Sequence, residues 1–324
     1  MRKHLVSALA AAVLLLGSWG GTQAQSKFPS KPISIVLPTP PGGSADFIAR
    51  LLADEVSKSL GSPVVVDNRP GAGQIIGTNF VAKAKPDGYT ILLIYNDFIH
   101  APLLNKTLPY DTIKSFTPIT ELAVVPGFLF VNAALPVRSV SDLVALGKSK
   151  PGGLKFGSAG NGSWLHLSGE LFAHTAGIKA RHVPYQGGAP AVVDLMSGEL
   201  DFIIASKNTV WSAVEGGKAR AIAFAGLKRT PLLPEIPTVD ESGLPGYETS
   251  IWYGLLAPAG TPPEIVAKLN AAFHAALEVP ALREKLEAQG VAITPGTPKE
   301  LQIKINSELE RWGGIIKQAG ITLQ

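Results

Sequence analysis

The sequence contains no cysteine. That excludes disulfides, thiolate nucleophiles and cysteine-based zinc or iron–sulfur sites together, and it is compatible with an oxidising compartment without proving one. Other chemical signatures are missing too. Neither Gly-x-Gly-x-x-Gly nor a phosphate loop ending in Gly-Lys-Ser/Thr occurs, and there is no Gly-x-Ser-x-Gly nucleophile motif. His100, His174 and His182 form no short metal-ligand pattern with the acids available. Charge is sparse at 17% of residues, with a formal net charge of +4 that falls to +2 if Arg2 and Lys3 are removed (4 − 2). No dense basic stripe interleaved with aromatics is present, so nucleic acid is not an expected partner. The apolar run from Leu5 to Leu16 is too short for a comfortable membrane span. With Arg2 and Lys3 before it and Thr22-Gln23-Ala24 after it, residues 1–24 read as a secretory signal peptide cleaved after Ala24.

What is present is a globular composition, 324 residues of which 46% are hydrophobic, enough for two domains. The chain is organised around Lys31 to Ser62. Ile33, Ile35, Val36 and Leu37 form a β-branched run, Pro38-Thr39-Pro40-Pro41-Gly42-Gly43 stops it, and Phe47, Ile48, Leu51, Leu52, Val56 and Leu60 recur at helical spacing. The pattern predicts strand, glycine turn and helix. Gly42 and Gly43 can take dihedrals closed to other residues, and Ser44 is placed to cap the helix. Unpaired amides of the first turn, together with the helix dipole, make a seat for an anion. Alone, the motif reads also as an ordinary strand-to-helix connection.

The unit recurs along the chain. Val64-Val65-Val66 precedes the turn Asn68 to Gly73 and a helix-like run through Ile75, Ile76, Phe80 and Val81, and Thr90 to Ile94 reads as a buried strand. The pattern restarts between Leu122 and Gly127, with Phe128 to Val131 strand-like. Leu154 to Gly157 leads into Ser158-Ala159-Gly160-Asn161-Gly162-Ser163 and a helix, and Arg181 to Gly188 leads into another. Strands alternating with single helices predict parallel sheet with right-handed crossovers, whose ligands collect beyond the carboxyl ends of the strands. Three glycine loops ahead of helices, in two α/β segments, point to one shared anion-binding cleft. Hydroxyls of Ser44, Ser158 and Ser163 and amides of Asn96 and Asn161 could satisfy a carboxylate without a lysine. In the C-terminal third, Thr261-Pro262-Pro263-Glu264 and Thr297-Pro298-Lys299-Glu300 are predicted helix starts, and the helices after them are read as structural cover.

Several blocks stand in a familiar order: Phe28 to Ile33, Pro41-Gly42-Gly43-Ser44-Ala45-Asp46, Val66 to Gly73, Pro86-Asp87-Gly88-Tyr89-Thr90, Val183-Pro184-Tyr185-Gln186-Gly187-Gly188, Pro237-Thr238, Gly243 to Gly246, Trp252 and Ala257 to Pro262. Over nearly all of the chain beyond the signal peptide, it resembles the periplasmic substrate-binding proteins of the tripartite tricarboxylate transporter family, the Bug-type receptors. The resemblance implies an α/β fold, a two-lobed periplasmic binding protein clamshell with a mainly parallel sheet flanked by helices in each lobe. A discontinuous first lobe of 26–127 and 250–324 would surround a second lobe of 128–249. The implied function is a receptor in the periplasm of a Gram-negative bacterium that binds a small carboxylate and delivers it to the large and small membrane subunits of a transporter. No cofactor, metal or catalysis is implied, and a monomer suits a diffusing receptor.

The carboxylate contacts implied by the resemblance are Gly42, Gly43, Ser44 and Asp46 in the first lobe and Ser158, Gly160, Gly162, Ser163 and Gly188 in the second. Asp201 is implied at the cleft, where it would orient a donor. The stretch Tyr95-Asn96-Asp97 varies across the family and is where this receptor would choose among acids. Asp97 either favours an amino group or other donor on the ligand or is a solvent-facing or helix-capping acid, and Ser206 and Asn208 carry the same two readings. Asp46 either touches ligand or caps locally, and His166 either contacts the anion or braces its loop. The alternative from another class is a secreted α/β hydrolase acting on a small acid ester. A purely structural protein would leave the three glycine loops without a common purpose.

Overall fold

The computed structural model describes residues 28–321, so the predicted signal peptide and its cleavage point lie outside the described residues. Strand β1 (Ile33–Leu37), helix α1 (Ser44–Leu60), β2 (Val64–Asn68), α2 (Ile75–Ala82), β3 (Thr90–Ile94) and α3 (Asn96–Leu104) follow the predicted alternation. The long β4 (Phe116–Asn132) comes next, then α4 (Val140–Ser149), β5 (Leu154–Ser158), α5 (Trp164–Ala176), β6 (Ala180–Pro184), α6 (Gly188–Ser197), β7 (Phe202–Ser206), α7 (Lys207–Glu215) and β8 (Ala219–Phe224). The chain closes with β9 (Ser250–Pro258), α8 (Pro263–Leu277), α9 (Pro280–Ala288), β10 (Ala292–Ile293) and α10 (Pro298–Ala319).

Local chemistry accounts for the element ends. Helix α1 buries Ile48, Ala49, Leu52, Ala53 and Val56 at the helical repeat and ends at Gly61 in the left-handed region (φ 62°). Phe47, expected on the apolar stripe, is exposed. At α10 the predicted capping box forms: Thr297 Oγ1 accepts from Glu300 N at 3.2 Å, and Glu300 Oε2 accepts from Thr297 N at 2.7 Å. Thr297→Ala is therefore expected to cost about 0.5–2 kcal/mol in urea unfolding and leave ligand affinity unchanged; a neutral result would show that the box is redundant. Thr261 does not cap α8. Its hydroxyl donates to the Pro258 carbonyl at 2.8 Å, and Pro262 takes the cap position.

Strands β2, β1 and β3 lie side by side in parallel, as do β6, β5 and β7. The remaining strands make each sheet mixed: β9 is antiparallel to both β3 and β4, and β4 is antiparallel to β7 and β8. The two sheets join through β4, whose Phe116–Pro126 stretch pairs with β9 and whose Gly127–Asn132 stretch pairs with β7 and β8. Register shifts at Pro118/Thr120 and Glu121/Ala123 bend this strand on its way out of the first sheet. A second connection runs beside it, where Ala225 N donates to Gly127 O and Thr249 N donates to Ala225 O, both at 2.8 Å.

Two apolar clusters follow the two sheets. One gathers Val36, Leu92, Ile94, Trp252 and Leu256 under Leu301, Ile305, Trp312 and Ile316 of α10, with Leu167 of α5 reaching into it. The other contains Phe128, Phe130, Ile203 and Ala205 with Leu195 of α6 and Val210 of α7. The C-terminal helix thus covers the first sheet, because its buried stripe recurs at Leu301, Ile305, Trp312 and Ile316.

Pairing register also fixes which sheet edges face each other. Ile94, the last residue of β3, pairs with Gly254, and four residues nearer the start of β9 Ser250 pairs with Pro126. The next residue, Gly127, pairs with Ser206, the last residue of β7. The carboxyl ends of the parallel strands in both sheets therefore open onto one gap, the place where α/β sheets gather ligands.

Candidate functional site

On the first-sheet side, Gly42 has φ +95°, which restricts the position to glycine, whereas Gly43 has φ −87° and open space where a Cβ would stand. Gly43, not Ser44, occupies the N-cap position; Ser44 is the first helical residue, and its hydroxyl faces Asn208 of the opposite side, whose Nδ2 lies 2.8 Å away. Asp46 is taken up locally. Its carboxylate accepts from Gly42 N at 3.1 Å, from Arg50 Nε and Nη2 at 2.9 and 3.0 Å, and from Asn68 Nδ2 at 3.0 Å. Burial opposes its ionisation, but the bonds from Arg50, Gly42 and Asn68 outweigh that and hold the acid below its ordinary range. Asp46 is thus a permanent brace for the glycine turn.

On the second-sheet side the loop between β5 and α5 is braced the same way. Ser158, fully buried, accepts from Gly160 N at 3.0 Å and contacts the His182 ring. Ser163 is the N-cap of α5, accepting from His166 N and donating to the Gly160 carbonyl at 2.7 Å. Gly160 (φ +122°) and Gly162 (φ +77°) are in conformations that only glycine adopts easily, and Asn161 at the tip is exposed. His166 Nδ1 accepts from Gly162 N at 3.1 Å, so of the two sequence readings bracing prevails. Its ring stacks on His182 at 3.8 Å, and burial, with His166 adjacent, lowers His182 to about 3. Gly188 opens α6 where an added Cβ would come 3.1 Å from Thr209. Ser206 donates to Asn208 Oδ1 at 2.6 Å, orienting the amide that meets Ser44.

Asp97 lies between the two sides. Its Oδ1 accepts from Trp164 N at 2.9 Å, at the very start of α5, and its Oδ2 accepts from Gln74 Nε2 at 2.7 Å. It is therefore neither solvent-facing nor a cap of its own helix; it caps a helix of the opposite side. Burial raises it to about 7, against the opposing pull of the Trp164 and Gln74 bonds. Beside it His100 Nδ1 lies 3.1 Å from the Gly162 carbonyl and must carry the proton there; burial lowers this imidazole to about 3, so it is neutral.

Two predicted residues do not join the gap. Asn96 has both ends of its amide bonded to β9, Nδ2 to Ser250 O and Oδ1 to Trp252 N, each at 3.1 Å, and it is 1% exposed. Asp201 precedes β7 and so sits at the opposite end of that strand from Ser206. There it receives Lys150 Nζ at 2.7 and 2.8 Å and Lys155 N at 2.7 Å, which leaves it a structural ion pair and no orienter of ligand. The sequence reading in turn passed over Gln74, His100, Trp164 and Tyr253. Gln74 had a signal available: the turn Gly71-Ala72-Gly73 follows a strand and precedes a helix, the same unit as the other glycine loops.

Helix starts, hydroxyls and neutral amides facing one gap suit an anion held by hydrogen bonds. Acyl chemistry is poorly served. The Ser158–His182 pair has the right atoms, but Ser158 is wholly inaccessible and His182 shows no carboxylate partner among the described residues. Two cavities lie away from the glycine loops: one of about 320 Å³ is lined by Val124, Pro126, Phe224 to Lys228 and Glu248 to Ser250, and one of about 410 Å³ lies between α4 and Ser242–Leu244. Neither includes a predicted site residue.

Comparison with known proteins identifies the family. Residues 48–321 match the model of the tripartite tricarboxylate transporter family receptor. A UPF0065 protein from the tcbD–tcbE intergenic region of Pseudomonas sp. strain P51 is 40% identical over 309 residues, covering 94% of this chain and 92% of that protein. Protein BugT of Bordetella pertussis is 37% identical over 92% of each chain. The structure of the periplasmic binding protein BugD superposes with a TM-score of 0.84 at 36% identity, covering 92% of this chain and all of that one. The matched family is one of receptors and BugD is a periplasmic binding protein, and the hydrolase alternative finds no support. The chain is a two-lobed solute-binding receptor and belongs to the tripartite tricarboxylate transporter receptor family.

Proposed function

We propose that the protein is a periplasmic receptor that closes on a small carboxylate between the Gly42–Ser44 loop and the loops at Ser158–Ser163 and Gly187–Gly188, and hands it to the membrane subunits of a tripartite transporter. The observation that carries this reading is the convergence of the starts of α1, α5 and α6 on one gap, bridged by the Ser44–Asn208 contact. Solved relatives support the ligand class: a Rhodopseudomonas palustris protein with adipate is 37% identical with a TM-score of 0.86, covering 91% of this chain and 99% of that one. The malate-bound MatC of the same organism is 32% identical with a TM-score of 0.80, covering 89% of this chain and all of that one. In this reading residues 26–127 with 250–324 form one lobe and 128–249 the other, joined at β4 and at the start of β9, and the signal peptide is removed on export. A monomer suffices, since the gap is built from one chain.

Replacing the ligand's carboxylate by its methyl ester tests the reading. Each lost charge-assisted hydrogen bond is worth about 1.5–3 kcal/mol, so calorimetry is expected to show the ester binding about tenfold or more weakly than the parent acid. Equal affinity for acid and ester would reject carboxylate recognition.

A further inference from the structure

Asp97 lacks the partner that a buried carboxylate ordinarily has. Among the described residues its two donors, Trp164 N and Gln74 Nε2, are both neutral, and the only basic group within 4.0 Å is His100, whose ring proton goes to the Gly162 carbonyl. A carboxylate has about four acceptor positions, so capacity remains on both oxygens. Gln74 adds a second unmet demand. It is 8% exposed; its Nε2 serves Tyr95 at 2.6 Å and Asp97 at 2.7 Å, while its Oε1, on the same amide, has no partner. A buried carbonyl left unpaired is costly, and one beside an underbonded carboxylate makes a cluster of acceptors awaiting a donor.

We propose that Asp97 and Gln74 form an acceptor subsite for an ammonium group, so that the ligand of this receptor is an amine-bearing carboxylate of the amino-acid class. The inference rests on the carboxylate reading above. An ammonium brings three N–H donors and a positive charge, which supplies Asp97 with a counter-ion and Gln74 Oε1 with a hydrogen bond. A plain acid placed there would meet a like charge. The subsite adjoins the carboxylate loops through the aromatic pair Tyr95 and Tyr253, ring centroids 5.9 Å apart, since Ser44 at the start of α1 lies near enough to the Tyr253 hydroxyl to favour its ionised form against burial. Asp97 already holds the first N–H of α5, leaving the start of α1 and the Gly187–Gly188 loop for the ligand's carboxylate.

The groups facing Asp97 fix the sign of its pH dependence. Tyr95 and Tyr253 are pushed up by burial and then by the charge of Asp97, so both stay protonated near neutrality, and His100 is neutral. From α5, His166 is turned towards Gly162 and Glu170; from α10, Arg311 bonds Glu308 and the Glu248 carbonyl. Burial leaves empty Asp97 half-protonated at about pH 7, and an ammonium favours its ionised form. Affinity for an amine-bearing acid should therefore rise from pH 6 to pH 8 with release of a proton. A plain acid would bind best with Asp97 protonated, giving the opposite slope.

Calorimetry on the purified receptor with matched pairs tests this: succinate and aspartate, glutarate and glutamate, adipate and 2-aminoadipate, phenylacetate and phenylglycine. In at least one pair the amino member is expected to bind about tenfold or more tightly at pH 8. That preference should tighten with pH and vanish in Asp97→Asn, whose amide still accepts from Trp164 N. Tighter binding of the plain acid, preference surviving in Asp97→Asn, or no binding by any pair member would overturn the proposal. If Asp97→Asn fails a thermal-melting check, the wild-type pair preference and the slope with pH decide alone. Failure of the carboxylate reading shows differently, as equal binding of an acid and its methyl ester.

Discussion

Trp164→Ala is expected to lower the unfolding free energy by about 3–5 kcal/mol, the range for truncating a large buried aromatic. Trp164 is 1% exposed and opens α5. Its ring lies against Gly127, where an added Cβ would come 2.9 Å from two ring atoms, so it packs on the point at which β4 passes between the sheets. Its Nε1 donates to Thr249 Oγ1 at 2.6 Å, and that hydroxyl is also bonded to Ser168 at 2.7 Å, tying α5 to the residue before β9. Trp164→Phe, which keeps most of the packing, should cost about 1 kcal/mol for the lost hydrogen bond. Denaturant unfolding of both variants checks this. A loss below 1 kcal/mol for the alanine variant would mean that this point is not packed as described.

Lys150→Met is expected to cost about 3 kcal/mol and leave ligand affinity within about twofold of wild type, the cost being that of leaving a buried carboxylate without its cation. The Asp201 side chain is 5% exposed, and among the described residues the Lys155 amide alone would remain as a donor with Lys150 gone. Asp201→Asn should be milder, because the amide oxygen can still accept from Lys155 N while Lys150, partly exposed, returns to water. The pair separates two roles that the residue's sequence position left confounded. Urea unfolding reads the structural role and calorimetry reads any role at the cleft. A loss of affinity in either variant without a matching loss of stability would return Asp201 to the binding site.

Local features were legible before the fold was known, because short-range sterics and hydrogen bonding decide them. The strand, glycine turn and helix at Ile33–Leu60, the capping box at Thr297 and the loops at Gly42, Gly160 and Gly188 all stand where the sequence pattern predicts. Asp201 was legible in principle, since a residue at the amino end of a parallel strand lies away from the ligand edge. Asn96 was not: its consumption by Ser250 and Trp252 depends on β9, over 150 residues away, lying beside β3.

By itself the sequence determined the α/β alternation and the glycine loops that mark helix starts; the restart expected between Leu122 and Gly127 falls inside the single strand β4. Its absent cysteines and motifs excluded thiol chemistry and the common nucleotide and hydrolase signatures. Only the tertiary structure decided which polar groups in and around those loops are already bonded within the chain. Asp46, His166 and Asn96 are satisfied by neighbours, whereas Asp97 and Gln74 meet across 23 residues with bonding capacity unfilled. The reason is that hydrogen-bond satisfaction belongs to neighbourhoods in space. A carboxylate's chemistry is set by which donors and charges the folded chain brings within about 3 Å of it, and periodicity along the sequence carries no record of that.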